Sequence, residues 1–369
     1  MIKVAFVRGK YLNNYEGQNY RFTRNKVALS AIASRFPLDA KVNFPLIKLP
    51  SLSDFDSRLT RIIANRTLGD EQILFGLKKY ASEFDIFHSA DPHYYYSYQL
   101  ARLRQRNTIK RLLLTSWETI PFNNESVYRK RFIKQFSRKN ADFFLCYTQK
   151  AKICLIKEGV DASKIKIIKL GVDIRRFQKK RNIATRNLTL LFVGRLVEEK
   201  GIRDLYEAFK KVKAKKLRII GEGPLKSKLE QLIGKDDLEK SVTIENKNYH
   251  QMPNVYQSAD IFVMPSKRTE TWEEQYGMVL IEAMASGLPI IAYNTGAIGE
   301  NLENTGILIR ENDVNGLARG VMRLIQDETL RLKLGTMGRK RAEEIFDSRK
   351  FAKEIVNLYE ALNGNFSQK

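Results

Sequence analysis

The chain has 369 residues, 43% of them apolar, with a mean hydropathy of −0.38, which describes an ordinary globular protein too long for one typical core and therefore built of two domains. No window reaches the roughly 20 apolar residues that span a bilayer, and the start MIKVAFVRGKYLNNYEG lacks the apolar core of a signal peptide, so a cytoplasmic location is expected. Only Cys146 and Cys154 are present, not as a CxxC pair, which argues against a disulfide framework or a zinc site.

The formal charge of +24 is uneven: residues 1–182 hold 36 Lys and Arg against 15 Asp and Glu, and the remainder 29 against 26. A basic first half fits an anionic membrane surface, a phosphorylated acceptor or nucleic acid, or simply solvated helix faces.

In chain order, the first half reads as strands near 3–7, 41–47, 85–90, 111–116, 142–148 and 164–168, with helices clearest at 70–82, 93–106 and 126–138. The basic, apolar-poor segment DIRRFQKKRNIATRN (173–187) is the expected hinge. The alternation then restarts with strands near 188–194, 216–221, 241–245, 260–265, 289–294 and 306–310. Two doubly wound α/β units in series are expected, with ligands outside the carboxyl ends of strands.

Four strand ends in the second half carry candidate chemistry. Gly194 ends one strand and Gly201 opens the next helix, with Arg195 and Lys200 between them beside a helix start, a plausible diphosphate clamp or two ordinary surface cations. In GEGPLKSKLE, Gly221 and Gly223 allow a tight turn, but Lys226 occupies the third glycine position of a dinucleotide fingerprint. In EEQYGMVLIEAMASGLPII, Glu274 precedes an apolar helical run and Glu282 sits inside it, where an unpaired carboxylate is unfavourable. Gly277 lets a backbone approach a ligand, and Gly296 in NTGAIGE offers amides to phosphate oxygens. Two carboxylates so placed can accept hydrogen bonds from two sugar rings; alternatively Glu282 pairs with an arginine and Glu274 is a helix-start charge.

The ordered segments FVGRLVEEKGI, IIGEGPLKSKLE, ADIFVMPS, TWEEQYGMVLIEAMASGLPIIAYNTGAIGE and TGILI resemble the retaining nucleotide-sugar glycosyltransferases of family 4, which have the GT-B fold. The spacing of Glu274 and Glu282 matches that family's E-x7-E motif. The resemblance is strong over 188–345 and continues weakly through DASKIKIIKLGVDIRRF. It implies that Arg195 and Lys200 bind the donor diphosphate, Glu274 the donor sugar and Glu282 the ribose hydroxyls. It also implies that the final helix, about 350–366, crosses back to the first domain.

In the first domain Gly17, preceded by Glu16, stands where the family has a glycine-rich loop. His88 aligns with the first member of a common His-x-His pair, but Ala90 replaces the second, leaving Asp91 or His93 to hold or deprotonate the acceptor hydroxyl. Trp117 and Glu118 follow a strand end and either line the site or bury. The rings of YYYSY (94–98) read as one helix wall. The DxD of SDFDS (53–57) is discounted as a metal site because Asp54 looks like a helix cap.

The expected architecture is α/β, a GT-B pair of Rossmann-like domains facing across a cleft. Residues 1–180 form the acceptor domain, completed by 350–366, and 181–349 the donor domain. The expected activity is retaining, metal-independent transfer from a UDP- or GDP-sugar to a glycan or lipid-linked acceptor in cell-envelope glycan synthesis, without a resident cofactor, either free in the cytoplasm or peripheral at the inner membrane face. A nucleic-acid-binding protein, which would need a module absent here, a hydrolase or epimerase of the nucleotide sugar, and a donor-binding pseudoenzyme are the alternatives.

Overall fold

A computed structural model describes residues 1–23, 26–55, 57–178, 188–212, 214 and 216–364. The chain divides into two units, Met1–Leu170 with Ser348–Lys369, and Gly171–Asp347. The expected boundary at 180 and most of the expected hinge (179–187) lie outside the described residues, as do the last two positions of the expected 350–366 helix.

The first unit contains strands β1 (Ile2–Gly9), β2 (Val27–Ser34), β3 (Leu46–Leu49), β4 (Ile86–Ser89), β5 (Leu112–Ser116), β6 (Phe143–Cys146) and β7 (Ile165–Ile167). They form one sheet in the order β3-β2-β1-β4-β5-β6-β7, every pair parallel. Its helices are α1 (Asn14–Gly17), α2 (Arg58–Thr67), α3 (Tyr95–Gln105), α4 (Tyr128–Asn140) and α5 (Gln149–Lys157). The order reverses between β1 and β4, so the loops after those two strands open at the unit's switch point.

Two sequence expectations fail in this unit. The strand expected at 41–47 begins only at Leu46, and the neighbouring strand is β2, whose Ala- and Ser-rich VALSAIAS lacks a strong β signature yet lies between β1 and β3. Pro45 cannot donate to the ladder, but its carbonyl accepts the Ala31 N–H at 2.7 Å, which fixes where pairing starts. The helix expected at 70–82 is replaced by a single 3-10 turn, Leu77–Tyr80, because Gly76 takes φ 88° and breaks the run; the helix forms earlier, as α2.

The second unit repeats the plan with β8 (Thr189–Val193), β9 (Lys216–Ile220), β10 (Val242–Glu245), β11 (Ile261–Met264), β12 (Ile290–Tyr293) and β13 (Ile307–Ile309). Their order is β10-β9-β8-β11-β12-β13, again all parallel, with the switch between β8 and β11. The helices are α6 (Ile202–Lys210), α7 (Lys226–Lys235), α8 (Met252–Gln257), α9 (Met278–Ala285), α10 (Ile298–Leu302), α11 (Val314–Gln326) and α12 (Glu328–Ile345). The Val172 N–H bonds the Phe346 carbonyl at 2.8 Å, so the chain enters and leaves this unit side by side.

The closing helix α13 (Ser348–Gly364) belongs to the first unit. Phe351, Ile355, Leu358, Tyr359 and Leu362 repeat at helical spacing on its buried face, and Tyr20, in the 3-10 turn Gln18–Thr23, meets Phe351 edge-on. Each such side chain contributes about 1.5–3 kcal/mol on burial, enough to hold the helix against this unit.

Candidate functional site

At the carboxyl end of the second sheet, four loops are locked together by glycines. A Cβ on Gly201, at φ 65°, would stand 1.9 Å from the Pro265 carbonyl oxygen, which presses the loop after β8 onto the loop after β11. The Lys267 N–H to Glu199 carbonyl bond, 2.8 Å, seals that contact. A Cβ on Gly221 would meet the Gly194 carbonyl at 1.9 Å, and one on Gly223 the Leu196 carbonyl at 2.5 Å. On the far side Gly296, φ 54°, leaves room for the Glu274 carbonyl, which a Cβ would approach to 2.1 Å.

This geometry revises part of the glycine expectation. The Gly194 N–H donates to the Ile220 carbonyl and the Gly221 N–H to the Glu245 carbonyl, so both amides serve the sheet and neither is available to a phosphate. Ala297 N–H, next to Gly296, is likewise spent on the Glu274 carbonyl at 2.8 Å. The glycines position side chains instead.

The side chains they position are Lys200 and Glu274. Lys200 Nζ donates to Glu274 Oε2 at 2.6 Å and lies 4.7 Å above the centre of the Trp272 ring; Ser266 Oγ donates to the same oxygen at 3.1 Å. Both charged groups are largely buried, which strengthens the pair relative to a surface one. A neighbouring lysine, Lys267, is anchored by Asp204 at 2.6 Å, which also accepts from the Tyr293 hydroxyl. Arg195 differs: its side chain is 65% exposed and reaches Glu199 at 3.5 Å, a rim position. The structure thus joins Lys200 to Glu274 and leaves Arg195 beside them in solvent.

Glu282 is a second, independent feature. Gly277, φ 80°, caps the start of α9, and Glu282 on that helix is 2% exposed among Leu280, Ile281, Ala283 and Met284. Oε2 accepts the Tyr256 hydroxyl at 2.7 Å, while Oε1 is buried with no hydrogen-bond partner among the described residues. Burial pushes this carboxyl up to about 7, against the opposing pull of the Tyr256 hydroxyl, the Arg176 charge and the Tyr249 hydroxyl. The arginine pairing considered from sequence is therefore not a direct one: Arg176 stacks on Tyr249, 4.2 Å from its ring centre, and donates to the Tyr249 carbonyl.

In the first unit the loops after β4 and β5 hold the other candidates. Asp91 is buried; its Oδ1 accepts the Trp117 N–H at 2.9 Å and the Ser116 hydroxyl at 3.3 Å. Burial pushes its carboxyl up to about 7, helped by the nearby Glu118 charge. His93 is half-buried beside Tyr94, and burial with the Lys134 and Lys130 charges pushes it down to about 3, so its ring is neutral; Nδ1 has no hydrogen-bond partner among the described residues.

Other first-unit candidates are structural. His88 is fully buried, Nδ1 paired with the Tyr359 hydroxyl at 2.7 Å and Nε2 with Thr115 Oγ1 at 2.6 Å, so α13 seals it. Glu16 forms a buried two-point pair with Arg8, 2.8 and 2.7 Å, and accepts the Tyr147 hydroxyl. Gly17 gives its N–H to the Asn13 carbonyl and packs beside Val42 and Phe44, so its own amide is taken within the turn. Glu118 holds its own turn, accepting the Thr119 and Ile120 amides and the Asn123 side chain. Trp117 packs edge-on against Tyr147, and Tyr98 of YYYSY against Phe136 of α4. Asp54 is not the cap itself but the third residue of a capping box begun by Ser51, whose N–H it accepts at 2.7 Å; Asp56 lies outside the described residues. Both cysteines are buried free thiols. Among the described residues no group of three or more His, Cys, Asp or Glu could hold a metal ion.

Sequence reasoning missed Ser266, Trp272 and Tyr256, the partners that hold the two glutamates and Lys200. Their spacing carries no motif of its own, and only the fold brings them together.

Residues 173–341 match the family model Glycosyl transferases group 1. A capsular polysaccharide biosynthesis glycosyltransferase, CapM of Staphylococcus aureus, is 31% identical over 209 residues, covering 51% of this chain and 52% of CapM. The chain spans about half the length of the first curated relatives it matches. Among solved structures, sucrose-phosphate synthase from Thermosynechococcus elongatus superposes with TM-score 0.79 at 20% identity, covering 98% of this chain and 99% of that one. HepE of Anabaena, solved in complex with UDP, gives 0.78 at 15% identity, covering 98% and 100%. At these identities the likeness establishes the fold, GT-B with two Rossmann-like domains.

Proposed function

We propose, from the match of residues 173–341 to the glycosyl transferases group 1 family model, that the chain transfers a sugar from a nucleotide-sugar donor to a glycan or lipid-linked acceptor in the synthesis of a surface polysaccharide. The observation that carries the reading is the Lys200–Glu274 pair, a cation and a carboxylate 2.6 Å apart at the switch point of the second sheet. That is where an open α/β sheet binds its ligand.

In this reading the donor diphosphate meets Lys200, and the exposed Arg195 swings onto it. Negative charge grows on the departing nucleoside diphosphate as the glycosidic bond breaks. Cations already held in place stabilise that charge without reorganising at the moment of reaction. Glu274, released in part from Lys200 and still held by Ser266, turns its oxygens to the donor sugar's hydroxyls. Glu282 supplies its unpartnered Oε1 to the ribose hydroxyls, which would favour the charged carboxylate that burial disfavours. UDP is the favoured nucleotide, since HepE of Anabaena and TarM of S. aureus, which share this fold, were both solved with UDP.

On the first unit Asp91 is the proposed acceptor-side group. A carboxyl titrating near 7 is matched to taking a hydroxyl proton at neutral pH. Retention at the anomeric carbon and independence from metal belong to the same proposal: they follow from the family 4 resemblance, with Lys200 and Arg195 as the cations that neutralise the diphosphate.

The test is product analysis. The full chain is incubated with single UDP- and GDP-sugars and panels of glycan and lipid-linked acceptors, with and without EDTA, and products are read by mass and by the anomeric coupling in NMR. One sugar added per acceptor, with the donor's configuration and unchanged by EDTA, supports the proposal. An inverted linkage, or activity abolished by EDTA and restored by magnesium, contradicts it.

A further inference from the structure

The first unit turns an apolar helix face to solvent. Along α2, Leu59, Ile62, Ile63 and Arg66 recur at i, i+3, i+4 and i+7 and all are exposed, whereas Ala64 on the opposite side is buried. An amphipathic surface helix ordinarily points its apolar stripe inward. This one points it out, with Leu59 67% and Ile63 52% exposed.

Further exposed apolar side chains lie beyond both ends of the helix. Phe55 precedes it, exposed, and the exposed Phe36 is held alongside by its N–H bond to the Asp54 carboxylate, 3.4 Å. At the other end a Cβ on Gly69 would lie 2.8 Å from Ile133 Cδ1 and 3.2 Å from the Arg129 carbonyl carbon, so α2 abuts the first turns of α4. There Tyr128 and Phe132, one turn apart, are exposed beside Arg129 and Arg131. Neither α2 nor α4 contains an Asp or Glu.

We propose that this face docks the chain onto an anionic lipid bilayer. The aliphatic and aromatic side chains enter the boundary between headgroups and acyl chains, and the flanking arginines meet lipid phosphates. Charge and apolarity together select this partner. A nucleic acid would match the cations but has no use for a Leu and Ile stripe. A second copy of the chain would match the stripe but bring two acid-free basic helix pairs together. The excess of Lys and Arg over residues 1–182 extends the same sign beyond the patch. The inference goes beyond the transferase reading and does not depend on it, because vesicle binding needs neither donor nor acceptor.

The experiment is co-sedimentation of the full chain with vesicles of phosphatidylcholine plus phosphatidylglycerol and with vesicles of phosphatidylcholine alone, at low and high salt. Two double variants are compared with the wild type, Leu59→Gln with Ile63→Gln and Arg66→Gln with Arg129→Gln. Melting temperature and nucleotide-sugar turnover in solution serve as controls for folding and for the donor site. The expected result is binding to the anionic vesicles only, weakened by salt, and lowered about tenfold or more in each variant with melting and turnover unchanged. Wild type that ignores anionic vesicles, or variants that bind them as wild type does, would overturn it. So would a dimer that the aliphatic variant converts to monomer without changing vesicle binding, or RNA binding lost in the arginine variant alone while vesicle binding stays intact.

Discussion

Replacing Glu282 by glutamine should make the second unit more stable and its nucleotide binding weaker at the same time. Burial moves this carboxyl from 4.5 up to about 7. The shift raises the folded-state value above the unfolded one, so stability declines as pH rises from about 4.5 through 7, and at pH 8 the ionised side chain disfavours the fold by about 3 kcal/mol. The substituted amide carries no charge, still accepts the Tyr256 hydroxyl, and leaves one buried NH2 without a partner at a cost of about 1–2 kcal/mol. The net is about 1 kcal/mol in favour of Glu282→Gln at pH 8, a rise of about 2–4 °C in melting temperature for a domain of this size, disappearing near pH 5. Binding moves oppositely. Ribose hydroxyls donating to a carboxylate contribute about 1.5–3 kcal/mol each, against 0.5–1.5 to a neutral acceptor, so UDP should bind roughly 5- to 150-fold more weakly. Wild-type affinity should also strengthen as pH rises through 7, and the variant's should not. Scanning fluorimetry and calorimetric titration with UDP at two pH values read all of this. A variant that melts lower than wild type at pH 8 yet binds UDP equally would show that Glu282 is a structural carboxylate and refute the reasoning.

Lys200→Ala should lower kcat by about 100- to 1,000-fold in nucleotide-release assays, the range for deleting one preorganised charge-stabilising group, with the fold intact by circular dichroism. At saturating donor, where the Glu282 effect on binding drops out, wild-type turnover should climb as pH rises through about 7, when Asp91 ionises, and the Asp91→Asn profile should be flat across that window; a saturated wild-type rate indifferent to pH there would remove Asp91 from the chemistry. Gly296→Ala should destabilise the second unit by about 2 kcal/mol or more in urea unfolding, since the new Cβ meets the Glu274 carbonyl at 2.1 Å and the backbone sits at φ 54°, whereas Gly76→Ala, at positive φ but with open space around it, should cost only about 1 kcal/mol.

The repeated alternation of short strands and amphipathic helices made two parallel sheets legible, and the motif spacing singles out Lys200, Glu274 and Glu282 from sequence alone. Position was legible; partnership was not. That Lys200 bonds Glu274, or that Tyr256 takes one oxygen of Glu282 and leaves the other, depends on loops from different strands meeting, and no local pattern encodes that. The glycines show the same limit: Gly296 read as offering amides to phosphate oxygens, Gly221 as part of a tight turn and Gly201 as a helix start, yet all three make room for neighbouring carbonyls. In the first unit β2 was not legible because Ala and Ser fill five of its eight positions, leaving only Val27 and Ile32 as the β-branched residues that signal a strand. The helix expected at 70–82 failed at Gly76, a turn glycine inside an otherwise helix-like composition. The outward stripe of α2 was hidden for the opposite reason, since Leu and Ile at helical spacing read as core.

The most direct test of the central claim is nucleotide release from a panel of UDP-, GDP- and ADP-sugars by wild type and by Glu274→Gln. The account predicts that the wild type slowly releases nucleotide from one donor and that Glu274→Gln abolishes this while remaining folded. Release that continues unchanged in Glu274→Gln, or no release and no calorimetric binding of any donor, would contradict it.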